Sequence, residues 1–246
     1  MTTKFKNICA ILVLVLSISY GQNADFDQVL QGVFRTQDKM ENEIQDAIFD
    51  GNFSYIEMNN KGDTIKTIYS KRRVFTKGND KQKSEYLEII ENGKLLSKEE
   101  LAKAQKQNRG DMKTKFPFTK QYRNSYTFSY LGEEYYNNMA VWKVGYKPKE
   151  KGKDFIQGFA YVLKSDSNVV QYQFTPVGLP FVLKNFNIML DYSKIDKYWV
   201  PTRFFLQMEI DVKVIFSLAH KYITMQETYS NYQFNNNIPD SFFKDK

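Results

Sequence analysis

The stretch Arg203 to Phe216, RFFLQMEIDVKVIF, constrains this chain more than any other. Phe204, Leu206, Met208, Ile210, Val212, Val214 and Phe216 fall on one side of an extended backbone. Arg203, Gln207, Glu209, Asp211 and Lys213 fall on the other, with Phe205 and Ile215 as the exceptions. A period of two residues is the signature of a strand with one buried face, because successive side chains point to opposite sides of the pleat. A stripe this long must face a packed core, a bilayer or a cavity that holds an apolar ligand.

The same period recurs along most of the chain. Asn52 to Met58, Thr64 to Thr76 and Ser84 to Glu91 read as strands, with a turn at Asn59 to Asp63 between the first two and Asn92-Gly93 closing the third. Strands resume at Tyr122, with Tyr122, Tyr126, Phe128 and Tyr130 on one face. A turn is expected at Gly132-Glu133-Glu134, then a strand to Tyr146, then a hairpin of Phe155 to Leu163 and Val169 to Phe174 around Ser165 to Asn168. Tyr222 to Phe234 is the last strand. Helical spacing appears in three places. Phe26, Val29, Leu30, Val33, Phe34, Met40, Ile44 and Ile48 predict an amphipathic helix from Asp25 to Phe49. Ser97 and Glu100 form a capping box that opens a short helix ending near Asn108. Phe181, Val182, Phe186, Met189 and Leu190 fit another short helix. About ten strands joined by hairpins, without βαβ alternation, predict a mainly β (α+β) fold built on an antiparallel sheet with helices inserted.

The first residues have the layout of a secretory signal peptide: Lys4 and Lys6, the apolar run Ile8 to Leu16, then the small residues Ser17, Ser19 and Gly21. Residues 1–21 are therefore expected to be removed, leaving 22–246 as one domain. Cys9 is the only cysteine and lies inside that leader, so the mature chain is expected to lack disulfides, which suits a bacterial envelope. Without Lys4 and Lys6 the formal charge of +7 falls by two, and the remaining excess is spread along the chain. Nucleic-acid binding prefers a concentrated basic stripe and is not expected. A transmembrane barrel is disfavoured as well. Thr64 to Thr76 carries Lys66, Lys71, Arg72 and Arg73 on both faces, where a lipid-facing stripe needs to be free of charge.

Little catalytic chemistry presents itself. His220 is the single histidine and has no HExxH context, so no metal site is expected. No G-x-S-x-G elbow or phosphate-binding glycine loop occurs, and Glu99-Glu100 and Glu133-Glu134 sit where capping and solvation explain them. The reading is a non-enzyme without cofactors. The aromatic side chains, 20 Phe and 17 Tyr, fit either a plain core or a cavity wall.

Several motifs point to a family. They are Gly158-Phe159-Ala160-Tyr161-Val162 leading to Ser165-Asp166-Ser167-Asn168-Val169-Val170, then Tyr198-Trp199-Val200-Pro201, then Tyr229 to Phe234, with Glu91 to Glu100 upstream. Together with export and an opening amphipathic helix, they resemble the outer-membrane lipoprotein-sorting group. This is the LolA/LolB-like superfamily that includes the RseB-type periplasmic sensors, and the chain looks like a divergent branch of it. The resemblance implies an incomplete antiparallel β-barrel whose hydrophobic concavity is closed by helices. It implies a periplasmic binding or carrier protein for lipids or lipoprotein acyl chains, opened by helix displacement. The alternative is an envelope sensor with a protein partner, and a secreted hydrolase stands behind both. The residues expected to line the cavity are Phe128, Trp142, Phe174, Phe186, Leu206, Met208 and Ile210.

Overall fold

A computed structural model describes residues 25–78, 81–107, 114–152, 154–180, 182–214 and 217–244. The expected signal peptide, residues 1–21, lies outside them. The described residues open with a helix, α1, over residues 25–43. Then come β1 (Asp46–Asn59), β2 (Thr64–Lys77), β3 (Lys81–Glu91), the two-residue β4 (Lys94–Leu95) and helix α2 (Lys98–Gln107). The second half holds β5 (Tyr126–Tyr136), β6 (Met139–Pro148), β7 (Ile156–Leu163), β8 (Val169–Pro176), β9 (Leu183–Ile195), β10 (Tyr198–Val214) and β11 (Ser217–Phe234). All eleven strands form one curved antiparallel sheet that does not close, in the order β4-β3-β2-β1-β11-β10-β9-β8-β7-β6-β5. The one non-neighbouring step joins β1 to β11, so the two ends of the strand sequence meet in the middle of the sheet. The expected incomplete barrel is what the chain builds.

Register fixes the two faces. Leu206 pairs with Ile188 on one side and Met225 on the other, and Phe204 pairs with Leu190 and Glu227. These side chains share the inner, concave face. Here α1 lays down Val29 and Val33, and with Tyr126, Val144, Tyr146, Ala160, Val162, Tyr172, Phe174, Ile188, Leu190 and Leu206 they form the main core. A smaller outer cluster of Val141, Leu163 and Val170 sits beneath Tyr136, Met139, Tyr161 and Trp199.

Four expectations are corrected. The helical spacing through Ile44 and Ile48 suggests a helix to Phe49, yet α1 stops at residue 43 and β1 begins at Asp46. The stop is tertiary: Asn235 Nδ2 donates to the Glu43 carbonyl, and Gln45 N donates to Asn235 Oδ1, so the end of β11 caps the helix. Tyr122 precedes a 3₁₀ turn at Arg123–Ser125 and does not start a strand. Gly132 to Glu134 is no turn but the continuation of β5, with Leu131 as an extra residue where the register against β6 shifts. The true turn is Asn137-Asn138, both left-handed with φ of 49° and 62°, the arrangement of a tight hairpin. Finally, Leu183 to Leu190 lies within strand β9 and not in a helix; Phe186, Ile188, Leu190 and Tyr192 alternate inward. Phe181 lies outside the described residues.

Candidate functional site

The concave face has two halves of different chemistry. Over β5 to β10 it is apolar and covered by two segments. The first is α1, whose Phe26, Leu30 and Phe34 pack on the core beside Val29 and Val33. The second is the strap at 114–122, which carries Phe116 and Phe118. Phe118 is fully buried, stacks on Phe128 at 5.3 Å and contacts Tyr172 at 5.9 Å between ring centroids. Phe34 meets both Phe118 and Phe128, at 6.3 and 5.6 Å. Polar contacts moor α1 as well. Thr36 Oγ1 donates to the Ser167 carbonyl at 3.0 Å, Arg123 pairs with Asp38 and stacks over Phe34, and Lys197 reaches Glu43 at 3.2 Å. Gly32 lets the helix approach closely, since a Cβ there would stand 2.5 Å from Ser167 Oγ.

Over β1, β2, β3 and β11 the same face is polar. Arg72 donates from Nε and Nη2 to the two carboxylate oxygens of Glu227, at 2.7 and 2.8 Å, and from Nη1 to Ser84 Oγ at 3.2 Å. Tyr229 adds a hydrogen bond to Glu227, and Glu227 is only 4% exposed. A forked pair of this kind is among the stronger and more geometrically specific side-chain contacts. Burial opposes the charge on Arg72, but the Glu227 carboxylate outweighs it and raises the guanidinium pKa. Burial pushes the Tyr229 phenol up, with Glu227 adding to the effect. Gly51 makes room, because a Cβ there would lie 2.5 Å from Glu227 Oε1. Nearer the β1–β2 turn, Lys221 and the Tyr55 hydroxyl hold Glu57, at 2.6 and 2.7 Å, and depress its pKa.

Six of the seven expected lining residues belong to one cluster. Phe174 and Leu206 are buried in the main core, while Phe128, Trp142, Phe186 and Met208 pack against it half-buried. Ile210 is half-buried and outside that cluster. The side chains of Val212, Val214 and Phe216, at the far end of the stripe, lie outside the described ones. Sequence reading missed the strap. Its signal was Phe116-Pro117-Phe118, an apolar triplet isolated in polar sequence. His220 hydrogen-bonds Glu209 at 2.6 Å and lies against Tyr222, a structural arrangement between β10 and β11. Among the described residues no helix is long and apolar enough to cross a membrane.

Where the first turns of α1 meet β5, β6 and the β7–β8 turn, a cleft of about 540 Å³ opens. Phe26, Tyr130 and Trp142 form its apolar walls, and its charged lining is Asp25, Arg35, Glu133 and Lys164. Of the expected lining residues, Trp142 is the one that borders this cleft.

A family model described as "Uncharacterized protein" matches residues 105–246, more than half of the chain. The chain belongs to that family. The matched part holds the strap and strands β5 to β11. No curated protein matches this sequence. Among solved structures it is similar to a LolA superfamily protein of Nitrosomonas europaea, at 14% identity, covering 87% of this chain and 97% of that one, with a TM-score of 0.45. A DUF1329 family protein of Desulfovibrio piger gives 11%, 89%, 96% and 0.45 in the same order. A domain of Vibrio parahaemolyticus described as an outer membrane lipoprotein-sorting protein gives 12%, 87%, 97% and 0.40. The first and third are of the group that the sequence motifs resemble.

Proposed function

We propose that this protein is an exported envelope protein, a single domain over residues 22–246, which holds the acyl chains of a lipid or lipoprotein in the concavity beneath α1. The observation that carries the reading is how the apolar half of the concave face is covered. The sheet does not close on itself; a separate helix and the Phe116–Phe118 strap fill the space instead. Such a cover can be lifted without breaking a strand ladder. An entering chain then replaces the side chains of α1 on Phe128, Trp142, Phe174, Phe186, Leu206, Met208 and Ile210. Each methylene taken from water contributes about 0.8 kcal/mol, so a long chain can offset the undocking of one helix.

Native mass spectrometry of gently purified protein, followed by titration with a fluorescent lipid, tests this. Co-purified lipid and saturable uptake are expected; a lipid-free protein that takes up none would sink the idea. N-terminal sequencing of the exported chain is expected to begin at Gln22. A second reading, an envelope interaction module, is favoured by strand β5. It is an edge of the sheet, eleven residues long, and exposes Tyr130, Leu131 and Tyr135, the last at 80%. Exposed edges of this type accept an added strand. A stable protein partner recovered from envelope extract, with lipid uptake absent, is the result that selects it.

A further inference from the structure

The cleft beside α1 is more than a gap in the apolar cover. Its walls are aromatic: Phe26 and Tyr130 lie 5.9 Å apart between ring centroids, and Trp142 lines the same opening. At its rim stands Glu133, which Lys164 contacts through Nζ at 2.5 Å. Lys164 above all, with smaller help from Trp142 and Tyr130, holds this carboxyl below the ordinary carboxylate range. The same Lys164 ammonium lies 5.9 Å from the centre of the Trp142 ring. The protein thus already houses one ammonium between a carboxylate and an indole face, the arrangement in which aromatic pockets hold organic cations. Lys164 sits at the β7–β8 turn and is half-exposed, so it can swing out to water and yield the place. Arg35, on α1, borders the same cleft. It makes no ion pair among the described residues and is exposed, a guanidinium ready for a phosphate. Below these groups Phe26 and Val29 lead to the main core. The volume, about 540 Å³, lies within the usual range of small-ligand sites, roughly 300 to 1,000 Å³.

We infer that this cleft is a headgroup site for a zwitterionic amphiphile: its ammonium lies on Glu133 and Trp142 in place of Lys164, its phosphate on Arg35, and its acyl chain runs under α1. The assignment rests on the acyl-chain reading given above and specifies which amphiphile is chosen. A cleft lined by aromatic rings together with groups of both charges selects a ligand carrying both charges. Purely anionic and purely cationic amphiphiles each leave one of the two groups unmatched.

The chain has two tryptophans, so Trp199→Phe leaves Trp142 as the sole indole reporter. This variant of the full mature chain is titrated with three probes of equal chain length: a lysophosphatidylethanolamine, a lysophosphatidylglycerol and an alkyltrimethylammonium. Trp142 emission is expected to respond to the first at a concentration about tenfold lower than to either of the others. Glu133→Gln and Arg35→Ala are each expected to shrink that preference to about twofold or less while the melting temperature stays unchanged, since both side chains are surface-placed. If all three probes bind alike while a fluorescent fatty acid is taken up, the headgroup assignment is overturned and the acyl-chain reading stands. If no amphiphile is taken up by any measure, both fall together.

Discussion

Gly32 and Ser167 face each other across the seam between α1 and the sheet, and they define a compact test of how the helix is seated. Ala in place of Gly within a helix gains about 1 kcal/mol in propensity. Here the new methyl would press on Ser167 Oγ at 2.5 Å and Cβ at 3.0 Å, an overpacking worth roughly 1 to 3 kcal/mol. Gly32→Ala is therefore expected to lose about 1 kcal/mol net in denaturant unfolding. Ser167 is left-handed, with φ of 59°, so Ser167→Gly both relieves the backbone and clears the space. In that background Gly32→Ala should become stabilising by about 1 kcal/mol, and loss of stability in both backgrounds would refute the contact. The buried pair Arg72–Glu227 gives a second cycle. Glu227→Ala strands a guanidinium and is expected to cost roughly 3 to 5 kcal/mol, while the double change Arg72→Met/Glu227→Leu recovers most of it. Neither the pair nor its role was legible in the sequence. Arg72 and Glu227 are 155 residues apart, and only the meeting of β1 with β11 brings them within reach.

At the scale of elements, what could be read depended on whether the cause was local. The turn at Asn92-Gly93, the capping box at Ser97 and Glu100, and the inward stripe of Leu206 and Met208 are local, and each stands in the structure. The boundary of α1 is not local, because the capping groups come from Asn235. β9 was masked differently: Phe186 and Leu190 satisfy a helical spacing of four as well as a strand spacing of two. Only pairing with β8 and β10 decides between them. The seating of α1 bears on function too. Arg123 links it to the turn before β5 through Asp38 and the Phe34 ring. Arg123→Ala is expected to speed hydrogen exchange in α1 several-fold while β7 and β8 stay protected, and to speed lipid exchange in parallel. Faster exchange throughout the sheet would mean that α1 is an integral part of the core and not a separable cover.

For the molecule as a whole, the tyrosines set an alkaline limit. Burial pushes the Tyr55 and Tyr136 phenols up to about 12, with Glu57 and Asp191 adding to the effect. Tyr146, Tyr172, Tyr192, Tyr229 and Tyr232 are raised by burial as well. In the unfolded chain a phenol ionises near 10. The folded state therefore keeps its full share of stability from these groups below about pH 10 and loses it as pH rises from there through the folded values. Phenolate absorbance should appear together with loss of the strand circular-dichroism signal, in one cooperative step. Independent ionisation near pH 10 with the sheet intact would contradict it. The sequence announced this abundance of tyrosine, but not how many would sit under α1, on the inner wall and beside buried carboxylates.

The two margins of the sheet differ. At β3 the side chain of Gln105 takes the place of a neighbouring strand, accepting from Tyr86 N and donating to the Ser84 carbonyl, and β4 and the chain end near Phe242 occupy the rest. At β5 no such stopper is built among the described residues. A molecule with one free margin can join one other and then has nothing left to offer. Two copies meeting through β5 would consume both free margins in a closed pair, and polymerisation by strand pairing would end there. With Gln105 on Tyr86 N and the Ser84 carbonyl, β3 offers fewer unpaired backbone groups to a second sheet than an open edge does.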